Sequence, residues 1–280
     1  MDRRSVIKGG ALAAAIAGLD SAAIAQGMSH AMNTGGKMGR MALPVGPKLK
    51  EGEEPFRIAM IVFNAMTNQD FVGPHDAFSR VRVVDIDVLG KTMGPIVTDS
   101  GAKIIPDKTI AEARDHYDML FIGGGPATSH LMEDEEVVGF LKSRAPKARY
   151  ITSVCSGALV LGAAGLLRGY KATTHWSAME VLPLLGAIPT HERVVFDRNR
   201  ITGGGVTAGI DFGLAVIGKL WSTELAEVLQ LGMEYDPQPP FDMGSPRTAS
   251  PAILAEGTQM MAGVTRSRMA AAGRVSAKFV

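Results

Sequence analysis

The sequence RYITSVCSGALVLGAAGLL, residues 149–167, decides the fold because it joins a short apolar run to a stretch of small and aliphatic residues across one cysteine. Residues 150–154 have the side chains of a buried strand, and the residues from Ser156 onward suit a buried helix. Cys155 is the only cysteine among the 280 residues. The sequence therefore predicts that Cys155 lies at a strand-to-helix turn.

A cysteine at the start of a helix has chemical consequences. The free amide N–H groups there carry partial positive charge and favour an anion. We therefore expect the pKa of the Cys155 thiol to lie below that of a free thiol, which makes the sulfur a reactive nucleophile. The alternative is an inert cysteine buried for packing, a common place for a lone cysteine in an apolar segment.

Strand-like and helix-like segments alternate on both sides of this turn. Strands are predicted at residues 56–63, 81–89, 119–125 and 149–154, with a two-strand hairpin over 193–204. Helices are predicted around residues 74–80, 134–144, 156–166 and 207–231. This alternation predicts a single α/β domain with a mostly parallel sheet and helices on both faces.

The two ends of the chain have different compositions. Residues 1–25 combine Arg3 and Arg4 with a short uncharged run and small residues before Ala25, as in a twin-arginine export signal, which predicts a periplasmic protein without stable membrane insertion. An uncleaved anchor is the alternative. Residues 26–55 are predicted to be a flexible leader rich in Met and Gly, with Cu(I) capture as a weaker alternative, and residues 252–280 a helical extension. The formal net charge of +1 favours no nucleic-acid partner.

Several residues could act on a substrate beside Cys155. The Ser156 amide and the glycine amides of Gly124 and Gly125 could stabilise an oxyanion, although the glycines could equally serve to turn the chain. Asp70, placed in a turn ahead of a helix beginning near Pro74, could act as a general acid or base, or simply cap that helix. His175 could be the base of a Cys-His pair or a core residue beside Trp176.

Cofactor and metal sites are not expected. The glycine runs lack the G-x-G-x-x-G spacing of dinucleotide-binding loops. The six histidines are scattered, and no two of them have the i, i+4 spacing of a helical zinc site. The C-terminal residues could dock on the domain or on a second subunit.

Five segments together resemble one protein family. They are SVCSGALVLGAAGLLRGYKATTHW (153–176), QDFVGPHDAF (69–78), FIGGGP (121–126), ITGGGVTAGIDFGL (201–214) and YDPQPPFDMGSP (235–246). They are similar to the DJ-1/PfpI superfamily of class I glutamine-amidotransferase-like proteins, and within it to the isonitrile hydratase branch. The resemblance covers residues 56–251.

The resemblance implies a flavodoxin-like three-layer sandwich, a homodimer and a nucleophile-elbow cysteine. It also implies catalytic roles for Cys155, Asp70 and Ser156, the last standing where the branch has a threonine. The implied reaction is hydration of an isonitrile to an N-substituted formamide. Two other functions stay open: a redox-responsive or small-molecule-binding protein, and glyoxalase or deglycase chemistry on reactive carbonyls. No helix-turn-helix pattern follows residue 251, so a transcriptional role is not expected.

Overall fold

The computed structural model describes residues 44–279. A seven-stranded sheet forms its centre, in the order β10-β11-β7-β6-β1-β2-β5. Two further two-stranded sheets pair β3 with β4 and β8 with β9. The strands are β1 Phe56–Ile61, β2 Val84–Gly90, β3 Ile96–Val97, β4 Lys103–Ile104, β5 Lys108–Thr109, β6 Met119–Ile122, β7 Tyr150–Val154, β8 Lys171–Ala172, β9 Ile188–Pro189, β10 Val194–Asp197 and β11 Arg200–Gly203.

Seven α-helices surround the central sheet in the described part of the chain. They are α1 Asn68–Ser79, α2 Thr128–Leu131, α3 Glu135–Arg144, α4 Gly157–Ala163, α5 Ala208–Leu220, α6 Thr223–Gly232 and α7 Pro251–Ser276. Shorter-pitch 3₁₀ segments run over Ile110–Glu112, Ala145–Lys147 and Trp176–Leu185. No helix within residues 44–279 is both long and apolar enough to span a bilayer.

The sheet confirms the predicted fold class. Its strands pair in parallel, except that β10 runs antiparallel to β11 as the predicted hairpin. Strands β1, β6 and β7 lie side by side near the middle, with Ile58 opposite Met119 and Met119 opposite Tyr150. Their carboxyl ends therefore open at one edge, where the loops that follow them meet.

Two helix boundaries differ from the predictions. Helix α1 begins at Asn68 and contains Pro74, so Asp70 lies in its first turn and not in a preceding turn. Packing on α5 favours this helix: Gly209 and Gly213 leave space for Pro74 and Ala77. The predicted helix 207–231 is divided at Ser222, whose hydroxyl accepts a hydrogen bond from the Leu225 amide and starts α6.

The predicted leader and extension are both joined to the domain where the structure describes them. Val45 pairs with Val81 in a parallel bridge, so the predicted flexible leader 26–55 is anchored from this residue onward. Residues 1–43, with the predicted export signal 1–25, lie outside the described residues. Helix α7 packs on the segment Trp176–Leu185 and on α2 and buries Arg268, Ala271, Ala272 and Val275, so the predicted extension 252–280 docks on the domain where the structure describes it.

Gly157, the first residue of α4, allows the helix to approach β6. A Cβ there would overlap the Ile122 carbonyl oxygen and lie 2.8 Å from that of Gly123. Gly157→Ala is therefore expected to lower the free energy of unfolding by about 3 kcal/mol, measured by chemical denaturation. Gly139→Ala is the control, because nothing lies within 4 Å of its Cβ. That change should stabilise α3 by up to about 1 kcal/mol, and equal losses in the two variants would contradict the packing argument.

Candidate active site

Cys155 occupies a tight turn between β7 and α4. Its backbone has a φ of +57°, a left-handed conformation that is costly for a residue with a side chain. Three hydrogen bonds hold it there. The Cys155 amide donates to the carbonyl oxygens of Gly203 (3.1 Å) and Gly204 (2.8 Å), and the Thr174 hydroxyl donates to the Cys155 carbonyl at 2.7 Å. The predicted strand-to-helix elbow is thus present.

Asp70 is fully buried opposite the elbow. Its Oδ2 accepts a hydrogen bond from the Gly124 amide at 2.9 Å. Its Oδ1 has no hydrogen-bond partner within residues 44–279, although the Cys155 thiol lies close enough to interact with the carboxyl group. The structure therefore brings together two of the predicted catalytic side chains, and it leaves one carboxyl oxygen of Asp70 available.

Asp87 is a second buried carboxyl group, and its surroundings are those of a carboxylate with a structural role. Asp87 accepts hydrogen bonds from Lys108, Arg114 and Tyr117, each at 2.9 Å or less. Although burial acts in the opposite direction, these donors lower the pKa of Asp87. Asp70 has one amide donor, from Gly124, and the neutral Cys155 thiol in place of two cationic donors and a phenol. Its surroundings therefore favour a carboxyl group that gains and loses a proton.

Burial raises the pKa of Asp70 to about 7, and the charge of Asp99 acts in the same direction. The interaction with Cys155, the Gly124 amide and the charge of Arg268 oppose this shift. A carboxyl group with a pKa near neutrality is half protonated at the pH where most enzymes work. It can therefore both accept and donate a proton, as a general acid-base group must.

The predicted low pKa of the Cys155 thiol is wrong for this arrangement. Burial raises the pKa of Cys155 to about 12, and the neighbouring charge of Asp70 raises it further. The amides of Val206 and Ser156 act in the opposite direction, as predicted for a helix start, but they are outweighed. The sulfur is thus a neutral thiol at rest, and it needs a base at the moment it attacks a substrate.

The Ser156 hydroxyl uses its full hydrogen-bonding capacity within the protein. It accepts from the Gly125 amide and from Arg268 Nη2, both at 3.1 Å, and is hydrogen-bonded to the Thr128 hydroxyl at 2.8 Å. Because Thr128 donates its own hydrogen to the Gly125 carbonyl at 2.6 Å, Ser156 is the donor to Thr128. Ser156 therefore holds the turn in place, and its amide is the group that faces the sulfur.

The glycine amides have a similar positioning role. Gly124 donates to Asp70 and Gly125 donates to Ser156. The sequence allows these amides either to stabilise a substrate oxyanion or only to turn the chain, and in the structure each is paired with a side chain of the site. The amides beside the sulfur are those of Ser156 and Val206, and Val206 was not predicted from the sequence.

His175 lies at the start of the Trp176–Leu185 segment, where it acts as a cap. Its Nδ1 is hydrogen-bonded to the Ser177 hydroxyl at 2.9 Å and accepts from the Ser177 amide at 3.3 Å, and its ring packs against Trp176. Burial, aided by the charge of Arg268, lowers the pKa of His175 to about 4. The ring is therefore neutral near pH 7, and its Nδ1 caps this segment instead of pairing with Cys155.

A cavity of about 890 Å³ adjoins the elbow. Its wall includes His175 and Gly205 together with Thr174, Gly204 and Val206, three residues that contact Cys155. Cys155 and Asp70 themselves lie behind this wall and do not line the cavity. Trp176 and Met179 add apolar surface. The cavity is large enough for a small organic molecule. Within residues 44–279, no group of three or more His, Cys, Asp and Glu side chains is arranged to hold a metal ion.

The raised pKa of Asp70 predicts how stability depends on pH. The unfolded chain releases this proton near pH 3.8, whereas the folded protein keeps it up to about pH 7. The contribution of the Asp70 carboxyl group to the free energy of unfolding is therefore fully present below pH 4. It is lost as the pH rises to 7, and the total loss is about 4 kcal/mol at most. Denaturation at pH 5 and pH 8 should show the part of this loss that falls above pH 5, about 2.7 kcal/mol, in the wild type and not in Asp70→Asn. An equal pH dependence in the two proteins would contradict the assignment.

Fold and site together define a class of protein: an α/β sandwich with a cysteine nucleophile elbow and a buried carboxyl partner. The DJ-1/PfpI family model matches residues 56–219. An isonitrile hydratase from Pseudomonas putida is 41% identical over 223 residues, which are 80% of this chain and 97% of that protein. The chain belongs to the DJ-1/PfpI family, which confirms the predicted resemblance.

Solved structures agree with this assignment. A THiJ/PfpI family protein from Pseudomonas syringae superposes with a TM-score of 0.76 at 43% identity, covering 81% of this chain and 97% of the other. Schizosaccharomyces pombe DJ-1 superposes with a TM-score of 0.57 at 21% identity, covering 65% of this chain and 100% of its own. The second comparison shows a shared fold alone.

Proposed function

We propose that this protein hydrates an isonitrile, R–NC, to an N-substituted formamide, R–NH–CHO, with Cys155 as the nucleophile and Asp70 as the acid-base group. One observation supports the proposal most strongly: a buried Asp70, whose Oδ1 has no hydrogen-bond partner within residues 44–279, interacts with a thiol that is neutral at rest. The likeness to the Pseudomonas putida isonitrile hydratase supports the substrate class.

In the first step the sulfur attacks the terminal carbon of the isonitrile. Asp70 takes the thiol proton as the S–C bond forms, and the same carboxyl group returns that proton to the carbon. The product is a thioimidate, R–N=CH–S–Cys155. No charge is gained or lost overall, which suits a site where burial disfavours charge on both Asp70 and Cys155.

In the second step water adds to the thioimidate carbon. Asp70 takes a proton from the water and passes it to the nitrogen, which gives the adduct R–NH–CH(OH)–S–Cys155. The C–S bond then breaks while the hydroxyl proton passes through Asp70 to the sulfur. The carbonyl of the formamide forms and the sulfur regains its proton as Cys155–SH. The balance is one isonitrile and one water consumed for one formamide. The amides of Ser156 and Val206 stabilise negative charge on the departing sulfur.

An alternative within the same reaction lets Asp70 activate water directly, with Cys155 as a positioning group. The two routes differ in whether a covalent adduct forms. Mass spectrometry of the intact protein, quenched in acid during turnover, would show the mass of one substrate on Cys155 for the thioimidate route. An unmodified protein throughout turnover would favour direct attack by water.

The reaction is tested with the purified full chain and a simple alkyl isonitrile, with formamide followed by chromatography. Gly139→Ala, which changes an exposed helix position far from the cysteine, serves as a matched control and should retain wild-type turnover. Lactate formed from methylglyoxal, without formamide from the isonitrile, would overturn the proposal in favour of glyoxalase chemistry. A folded protein that forms neither product, but whose thiol is readily oxidised, would favour the redox function.

A further inference from the structure

Helix α7 carries one charged side chain into the protein interior. Among the buried residues of the described chain, Arg268 is the only one with a cationic side chain, and it is 3% exposed. Ala271, Ala272 and Val275 are buried on the same helix. Burying a guanidinium group is strongly unfavourable unless an anion compensates its charge.

The hydrogen bonds of Arg268 do not supply that compensation. Its Nη2 donates to the Gly125 carbonyl and to the Ser156 hydroxyl, both at 3.1 Å. Both acceptors are neutral. Its Nε and Nη1 have no hydrogen-bond partner within residues 44–279. The guanidinium is therefore hydrogen-bonded to the loop after β6 and to the turn that contains Cys155. Its positive charge is not neutralised by these hydrogen bonds and acts on the neighbouring titratable groups.

The charged and titratable groups near this guanidinium come from several elements. Asp70 on α1 and Cys155 at the elbow both interact with its charge. Asp99, in the loop after β3, acts on Asp70 with a negative charge. His175 is neutral near pH 7 because burial and Arg268 lower its pKa to about 4. Arg268 thus supplies a positive charge that partly offsets the free-energy cost of burying a negative charge in this site.

We propose that Arg268 is a positioning residue and the counter-ion of the Asp70–Cys155 pair. It fixes Ser156 and the Gly125 carbonyl through hydrogen bonds. Its positive charge allows the buried Asp70–Cys155 pair to carry one negative charge. The proposal does not depend on the substrate. Arg268 lies beyond residues 56–219, the segment that the family model matches, so α7 completes the site from outside that segment.

Two substitutions separate the charge of Arg268 from its hydrogen bonds. Arg268→Gln keeps N–H donors for Gly125 and Ser156 but removes the charge, whereas Arg268→Lys keeps the charge. Arg266→Gln is the matched control, since Arg266 is exposed on the same helix. The direct readout is the infrared carbonyl-stretching band of protonated Asp70, identified by its absence in Asp70→Asn and followed from pH 5 to pH 9.

The midpoint of this band is expected near pH 7 in the wild type. Arg268→Gln should move it upward, because the ionised carboxylate loses a cation that lowers its pKa. Arg268→Lys should restore most of the wild-type value, and Arg266→Gln should leave it unchanged. An unchanged midpoint in folded Arg268→Gln would overturn the proposal.

Thermal unfolding at pH 5 and pH 8 keeps the proposal testable if Arg268→Gln is unstable. Without its counter-ion the carboxylate is disfavoured more strongly, so the loss of stability relative to the wild type should be greater at pH 8 than at pH 5. An equal loss at both pH values, including failure to fold at both, would show that Arg268 serves packing alone and would overturn the proposal.

Discussion

Cys155→Ser is expected to lower the rate of formamide production from an alkyl isonitrile by about 10⁴-fold or more, the scale on which loss of a nucleophile acts. A serine hydroxyl is far less acidic than a thiol and a poorer leaving group in the second step. Asp70, with a pKa of about 7, would have to take a proton from a group still less acidic than the buried thiol. Turnover under excess substrate is the measurement.

Cys155→Ala is the companion to this variant. Both replacements keep a small side chain at the left-handed position, and both should be equally inactive if the sulfur forms the covalent bond. Neither variant should be alkylated by a thiol reagent, because Cys155 is the only cysteine of the chain. Turnover in Cys155→Ser within tenfold of the wild type would remove the nucleophile assignment.

Asp70→Asn is expected to lower turnover by about 10²- to 10⁴-fold, the usual effect of removing a positioned acid-base group. The amide oxygen of asparagine can still accept the hydrogen bond from Gly124, so the loop is retained. What is lost is the proton carrier beside the sulfur. The pH profile of kcat/KM should also lose the ionisation near pH 7 that Asp70 contributes in the wild type.

Asp76→Asn is the matched control for this change. Asp76 lies on the same helix, half exposed, and is paired with Arg80 at 3.1 Å. An exposed pair of this kind contributes little, so turnover should change by less than about twofold. A similar loss of activity in both variants would mean that α1 tolerates no loss of charge. That result would return Asp70 to the capping role considered from the sequence.

The sequence predicted those parts of the site that depend on local structure. Cys155, Asp70 and Gly124 follow the parallel strands β7, β1 and β6, and the carboxyl ends of parallel strands meet at one edge. Their proximity therefore follows from the order of the elements. The elbow itself was predicted from an apolar run followed by small residues.

Two features of the site could not be predicted in the same way. The direction of the Cys155 pKa shift depends on how completely the sulfur is desolvated, which is a property of the whole packed structure. Arg268 is distant in sequence, and a helix of small residues such as α7 can dock in several ways. No local pattern indicated that its arginine would contact the turn that follows the cysteine.

The position of α7 also orders events during synthesis. Arg268 lies 112 residues after Ser156, the residue it contacts beside the elbow. A chain emerging from the ribosome can assemble the sheet and close the elbow well before this arginine has been translated. Because the elbow closes through Gly203 and Gly204, a nascent chain in which the elbow has formed still lacks its proposed counter-ion until α7 has been translated and has docked.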